Sequence, residues 1–177
     1  NAGSGKTLFL RAGEYRLKQS LTIPSDIHIC GEGRSTVLIC EPTIRTAAIL
    51  LGDLDAKNIT IENLVVDGSK EHQEAYDPNS GRFYRTGRYS NALAGISMRG
   101  EAGHAFSNIK LKNLTVINFS RSGVYISDAE GIEIDHCDFT ENGAHVVPGP
   151  RLQHNLMIQH SSRSEEHTSE LQSHTSI

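Results

Sequence analysis

The chain has no tryptophan, two methionines, three cysteines and five prolines in 177 residues. Aromatic residues supply 6% of it, too few for a core built from large rings. Three cysteines exclude a disulfide-dense scaffold, so the fold must rest on burial of aliphatic side chains. No apolar run approaches the length of a membrane-spanning helix. Charge of one sign is scarce as well. The formal net charge is −4, with no basic stripe of the kind a polyanion requires, and no nucleic-acid partner is expected. Helical periodicity is also missing between the apolar runs, which excludes alternating strand–helix architectures.

The chain does contain repetition. NITIENLVV from Asn58, NIKLKNLTV from Asn108, GIEIDHCDF from Gly131 and NLMIQH from Asn155 share one pattern. Aliphatic residues fill their second and fourth positions: Ile59 and Ile61, Ile109 and Leu111, Ile132 and Ile134, Leu156 and Ile158. The sixth position is Asn63, Asn113, His136 and His160. The last two steps are 23 and 24 residues, and the first is 50, which reads as two turns with an insertion. Alternation of period two that recurs at a fixed longer period marks a repeat architecture. Since the unit is strand and turn only, the pattern predicts an all-β parallel β-helix, a single-stranded solenoid whose coils pair with one another. A second ladder, AILL from Ala48, GISM from Gly95 and GVYI from Gly123, falls about half a coil away. Strands stacked at ~4.8 Å would bring the sixth-position Asn and His residues into a ladder at the bends.

The rhythm stops after Ile158. The segment RSEEHTSELQSH from Arg163 to His174 resembles the translation of a sequencing-library adapter, and its Ser, Glu and His content offers little to bury. Residues 1–162 are therefore expected to form the β-helix domain, and 163–177 a disordered, non-native tail. Residues 163–177 carry one arginine and three glutamates, which leaves 16 basic and 18 acidic residues elsewhere. The chain is expected to be a fragment, truncated on its C-terminal side. About seven coils would make a body roughly 34 Å long at ~4.8 Å per coil.

The opening stretch includes GSGKT at Gly3 to Thr7, a partial phosphate-loop motif that would need a helix after Thr7. The residues after Thr7 favour strand instead. A Gly-rich turn, an aliphatic strand, AGEY, a second aliphatic strand, IPSDI and the GEGRST turn succeed one another. This order resembles the start of the pectate lyase-like superfamily, and the resemblance extends from about Gly3 to His160. It implies a right-handed helix, a carbohydrate-active protein, and a secreted or periplasmic location. The superfamily holds lyases, hydrolases and epimerases as well as non-catalytic adhesin and tailspike modules. A polysaccharide lyase or glycoside hydrolase acting on an acidic polysaccharide is one expectation; a glycan-binding or structural β-helix is the other. A monomer with no membrane partner is expected in either case.

In enzymes of that superfamily substrate lies along one parallel face and its bordering loops. The comparable places here are NALAGISM, SRSGVYISD and ENGAHVV. The first two lack the Asp clusters of the galacturonan hydrolases, and the third is only faintly like their Gly-His-Gly. Uronate lyase chemistry needs a base, a group neutralising the carboxylate, and an acid for the leaving oxygen. His145 or Arg121 is the candidate base, with Arg99 or Arg121 on the carboxylate. A hydrolase would use Asp128 with Glu141. No standard zinc spacing is present and no metal ligand is assigned, although a calcium ion would suit Asp128 or Glu141. The insertion Lys70 to Ala92 breaks the coil rhythm and shows no β alternation. Its Tyr84, Arg85, Arg88 and Tyr89 are candidates, with Arg99, for substrate binding, because Tyr rings suit sugars and Arg forks suit carboxylates. Cys30 and Cys40 read as buried thiols or as a disulfide pair.

Overall fold

A computed structural model describes residues 5–69, 94–100, 104–143 and 154–159, and the backbone of four further strands within 74–77, 82–85, 162–167 and 170–171. The fold is a right-handed parallel β-helix, and its cross-section has three faces. The first face stacks β1 (Lys6–Phe9), β4 (Ile27–Cys30), the first half of β7 (Lys57–Asp67), the first half of β11 (Phe106–Ile117), β13 (Ala129–Asp135) and β16 (Ser162–His167). The second stacks β2 (Gly13–Leu17), β5 (Thr36–Cys40), the later halves of β7 and β11, β14 (Asp138–Thr140) and β17 (Glu170–Leu171). The third runs β3 (Leu21–Ile23), β6 (Ala47–Leu51), β10 (Ala94–Arg99), β12 (Ser122–Ser127) and β15 (His154–Gln159).

Alternation decides which side chains go inside. On the first face Ile27, Ile59, Ile109 and Ile132 are successive partners, as are Ile29, Ile61, Leu111 and Ile134. All but the half-buried Ile27 are at most 1% exposed, so each inward aliphatic rests on its equivalent one coil away. Leu38, Val66, Val116 and Phe139 form the corresponding inner row of the second face. Ile49, Ile96 and Val124 form that of the third. The two ladders read in the sequence are thus the first and third faces.

Several details differ from the sequence expectation. The fourth run, NLMIQH, does not continue the first ladder. It lies in β15 and pairs with β12, Leu156 opposite Val124 and Ile158 opposite Ile126. Hydrophobic alternation is identical on both faces and does not say which one a strand joins. The 50-residue step is one coil, not two, since Ile59 is the direct partner of Ile109. Among the described residues the first face has six layers, against the expected seven or so. The insertion at 70–92 contains an antiparallel hairpin, β8 (Glu74–Asp77) with β9 (Arg82–Arg85). Its register sets Glu74 opposite Arg85, Tyr76 opposite Phe83 and Asp77 opposite Arg82. Within the expected tail, β16 pairs with β13 in register, with Ser164 opposite Ile132 and Glu166 opposite Ile134. Strand β1 begins at Lys6, inside GSGKT, and runs past Thr7 where a phosphate loop would need a helix, and no helix among the described residues is long and apolar enough to cross a membrane.

The corners explain the polar repeats. Asn63, Asn113 and His136 turn the chain from first to second face with φ of 56°, 49° and 50°. Asn is among the few residues that accept this left-handed conformation. The hydrogen-bonded amide ladder, however, stands at the first position of the repeat. Asn108 Nδ2 donates to Asn58 Oδ1 (2.8 Å), and Asn58 Nδ2 donates to Asp26 Oδ1 (2.7 Å). These three and Gly131 all have positive φ. His136 instead places Nδ1 2.6 Å from Asp135. A third corner is held from inside: buried Asn142 accepts from Phe119 N–H (3.0 Å), donates to the Val116 carbonyl (2.8 Å), and its backbone N–H reaches Asn155 Oδ1 (3.3 Å).

Candidate functional site

The third face has an unusual outer surface. By alternation Ser97, Tyr125 and Met157 point away from the core in one row, and Arg99, Ser127 and Gln159 in the next. Outward polar residues of a solenoid are ordinarily well exposed, yet Ser97 and Ser127 are buried. Three neighbouring groups here form one assembly. The Arg99 guanidinium lies over the Tyr125 ring, 4.7 Å from its centroid. The Tyr125 hydroxyl donates to Gln159 Oε1 at 3.0 Å. The contact seats the guanidinium over the ring, and Arg99 remains exposed. A planar fork fixed in this way can meet a carboxylate with two parallel N–H bonds.

The corner after this face gathers ionisable groups. Asp128 makes a one-residue turn between β12 and β13 with φ of 55°. Its N–H donates to the Gln159 carbonyl and its carbonyl accepts from Phe106 N–H, both at 3.0 Å. A Cβ on Gly100, the residue after Arg99, would lie 2.6 Å from Asp128 Cβ and 2.8 Å from the His104 carbonyl oxygen, so the chain passes closely there. His104 Nδ1 lies 3.0 and 2.9 Å from the two carboxylate oxygens of Asp55. A carboxylate on Nδ1 orients the ring and leaves Nε2 as an acceptor, the arrangement of a general base.

The sequence candidates divide between the two edges of this face. Arg99 and Asp128 share the edge just described. Arg121 lies at the other, exposed, its carbonyl accepting from His154 N–H at 3.1 Å. Glu141 belongs to that edge too: Ile117 pairs with Thr140, so Glu141 occupies the place that Asn118 takes in the previous coil. Asp128 and Glu141 are therefore separated by the width of a six-residue strand, roughly 20 Å at 3.3 Å per residue. The carboxylates of a glycosidase stand about 5 to 9.5 Å apart. Arg121 and Asp128, at opposite ends of β12, are likewise too distant for an ion pair. His145, Arg88 and Tyr89 lie outside the described residues, as does His160; Tyr84 and Arg85 are placed only as backbone of β9.

Sequence reasoning missed Tyr125, Gln159, His104 and Asp55. Tyr125 and Gln159 are 34 residues apart, and His104 and Asp55 are 49 apart. Only the inter-coil register brings them together. The usable signal was the second ladder, which aligns ISMR with VYIS and so predicts Arg99 near Tyr125.

The cysteines form no disulfide: Cys30, Cys40 and Cys137 are all thiols. Burial, and to a lesser degree the nearby Asp67 charge, pushes the Cys40 thiol up to about 12. On the outer surface of the first face Glu133 sits between Lys110 (3.1 Å) and Lys112 (2.5 Å). Hydrogen bonds from Lys112 and then Lys110 hold its carboxyl below the usual range.

No family model matches the chain, and no curated protein does. Solved structures match it in fold. The A-module of the mannuronan C-5 epimerase AlgE4 from Azotobacter vinelandii superposes with a TM-score of 0.68 at 16% identity, over 95% of this chain and 42% of that one. ORF18 of Geobacillus virus E2 gives 0.59 at 15% identity, over 96% and 33%. A protein from Parabacteroides merdae, provisionally described as a glycosyl hydrolase, gives 0.54 at 16% identity, over 94% and 80%. The chain thus spans less than half the length of the first two. At these identities the likeness is one of fold, a right-handed parallel β-helix.

Proposed function

We propose that the protein is carbohydrate-active and engages an acidic polysaccharide along its third face. The observation that carries this reading is the Arg99–Tyr125–Gln159 assembly, an exposed guanidinium seated over a ring. It offers a preoriented fork for a uronate carboxylate, with the buried hydroxyls of Ser97 and Ser127 alongside. The fold supports the substrate class: among structures sharing it are an epimerase of mannuronan, itself a polyuronate, and a protein provisionally described as a glycosyl hydrolase.

The reaction class best supported is removal of the proton α to the uronate carboxylate, as in a lyase. Arg99 would neutralise the carboxylate and so acidify that proton; the His104–Asp55 pair, at the same corner, would accept it. Hydrolysis by Asp128 and Glu141 is disfavoured by their separation across the face. A non-catalytic glycan-binding role is the second reading, favoured by one fact: Arg121, Asp128 and Glu141 do not converge.

The purified protein is incubated with uronate-containing and neutral polysaccharides, with and without calcium, while unsaturated-product absorbance and new reducing ends are monitored together. Both signals on uronate substrates support the lyase. Reducing ends alone mean hydrolysis and overturn it. Binding without either signal supports the glycan-binding module, and neither binding nor turnover on any polysaccharide overturns the carbohydrate reading.

A further inference from the structure

The outer surface of the first face carries a second group of chemically distinctive side chains. In IHIC, Ile27 and Ile29 turn toward the core, so His28 and Cys30 both stand outward on β4. The next coil places Glu62 directly opposite Cys30. The ligand atoms of His28, Cys30 and Glu62 all lie within 4.8 Å of one another, with His28 Nε2 2.9 Å from Glu62 Oε1. A fourth residue completes the surroundings: Asn63, in the left-handed bend, aims Nδ2 at Cys30 Sγ from 3.7 Å. His28, Cys30 and Glu62 are each partly buried, so the group is sheltered yet reachable.

We propose that His28, Cys30 and Glu62 bind a transition-metal dication of the zinc type. The donor set decides the class. One imidazole nitrogen, one thiolate sulfur and one carboxylate oxygen form a borderline-soft site that suits zinc or cobalt, whereas calcium and magnesium require oxygen alone. The geometry is within reach. Bonds of ~2.0 to 2.3 Å in a tetrahedral arrangement put ligand atoms roughly 3.3 to 3.6 Å apart. Closing the widest gap therefore needs about 1 Å of side-chain movement, and the His28–Glu62 contact opens by a few tenths of an ångström. Three protein ligands leave a fourth position for water. The ion would clamp β4 to β7 across residues 34 positions apart. Lys112 comes after Glu62 in the same outward row, but its own partner is Glu133 in the coil beyond, so Glu62 keeps His28 as its neighbour. The site is independent of the saccharide face.

The test is a cobalt(II) titration of the whole, chelator-stripped, reduced chain, read by absorption. A sulfur-to-cobalt charge-transfer band saturating at one equivalent is expected, and zinc should displace it. C30S should abolish the band while leaving the far-ultraviolet circular dichroism unchanged. E62Q and H28N should each weaken cobalt binding by about tenfold or more. Absence of the band, its persistence in C30S, or unchanged affinity in both H28N and E62Q would overturn the proposal. Turnover of polysaccharide plays no part in the readout.

Discussion

Replacing Asn142 by alanine tests whether buried side-chain amides hold the coil corners. Asn142 is 5% exposed, and its side chain satisfies two buried backbone groups, the Phe119 N–H and the Val116 carbonyl. Truncation removes both partners at once. A buried backbone group left without a partner costs about 1–3 kcal/mol, so the pair predicts a loss of about 2–6 kcal/mol, nearer the lower end if a water enters the vacated space. Asn108→Gly is the internal control, because glycine keeps the left-handed φ of 55° without strain, as Gly131 does in the next coil. The Asn108 amide also bonds across coils, but it is exposed, so water replaces the lost bond and the loss should stay below about 1 kcal/mol. Urea unfolding gives the global value. Hydrogen exchange at the Phe119 amide gives the local one, which matters because solenoids can open coil by coil. If Asn142→Ala cost no more than Asn108→Gly, and the Phe119 amide stayed protected, the idea that burial makes this amide structural would be refuted.

Gly95→Ala should destabilise by about 1–3 kcal/mol in the same unfolding assay, since a Cβ there would press on the Val116 side chain and lie 2.7 Å from the Gly123 carbonyl. Arg99→Lys should weaken binding to a polyuronate about tenfold, nearly as much as Arg99→Ala, because an ammonium cannot reproduce a stacked two-pronged fork; retention assays on uronate and neutral polymers would show it. Cys40 favours its protonated form in the folded state, so its contribution to stability is full below pH 9, its ordinary value, and is lost as pH rises toward 12. Native-state thiol labelling at pH 8 should spare Cys40, and replacing it with alanine should flatten the alkaline loss of stability.

The fold was readable because a solenoid writes its core as a period. Ile59, Ile109 and Ile132 recur at the same place in the repeat and are in fact stacked partners. The assignment of a run to a face was less readable. Leu156 and Ile158 would bury equally well in either ladder, and His160 happened to imitate His136. Alignment of SGVYIS with HNLMIQ on the third face depends on Gly123 opposite Asn155, an unlike pair that no repeat search favours. The candidate site was the hardest to see. A site made from Arg99, Tyr125 and Gln159 draws one residue from each of three coils, and nothing local in any coil marks it. Arg99 itself was found because an outward arginine on a parallel face is chemically distinctive. The quartet of Arg121, Asp128, Glu141 and His145 was chosen by motif position, and three of its members now stand at two edges of the face.

The three corners differ in how much chain they admit, and this bears on how such a protein can change. Between the first and second faces Asn63 and Asn113 turn the backbone as single left-handed residues inside otherwise continuous strands. Other coils admit a little more chain at that seam, two residues between Asp135 and Asp138 and five between Cys30 and Thr36. At the two seams bordering the third face the connections vary widely: Asp128 alone in one coil but five residues between Leu51 and Lys57, and four between Ile117 and Ser122 but 26 between Asp67 and Ala94. The widest variation in chain length therefore lies on either side of one surface, while the seam joining the other two ranges only from one to five residues among the described coils. A lineage built on this plan could exchange one ligand for another by altering loop length alone, with its stability set elsewhere.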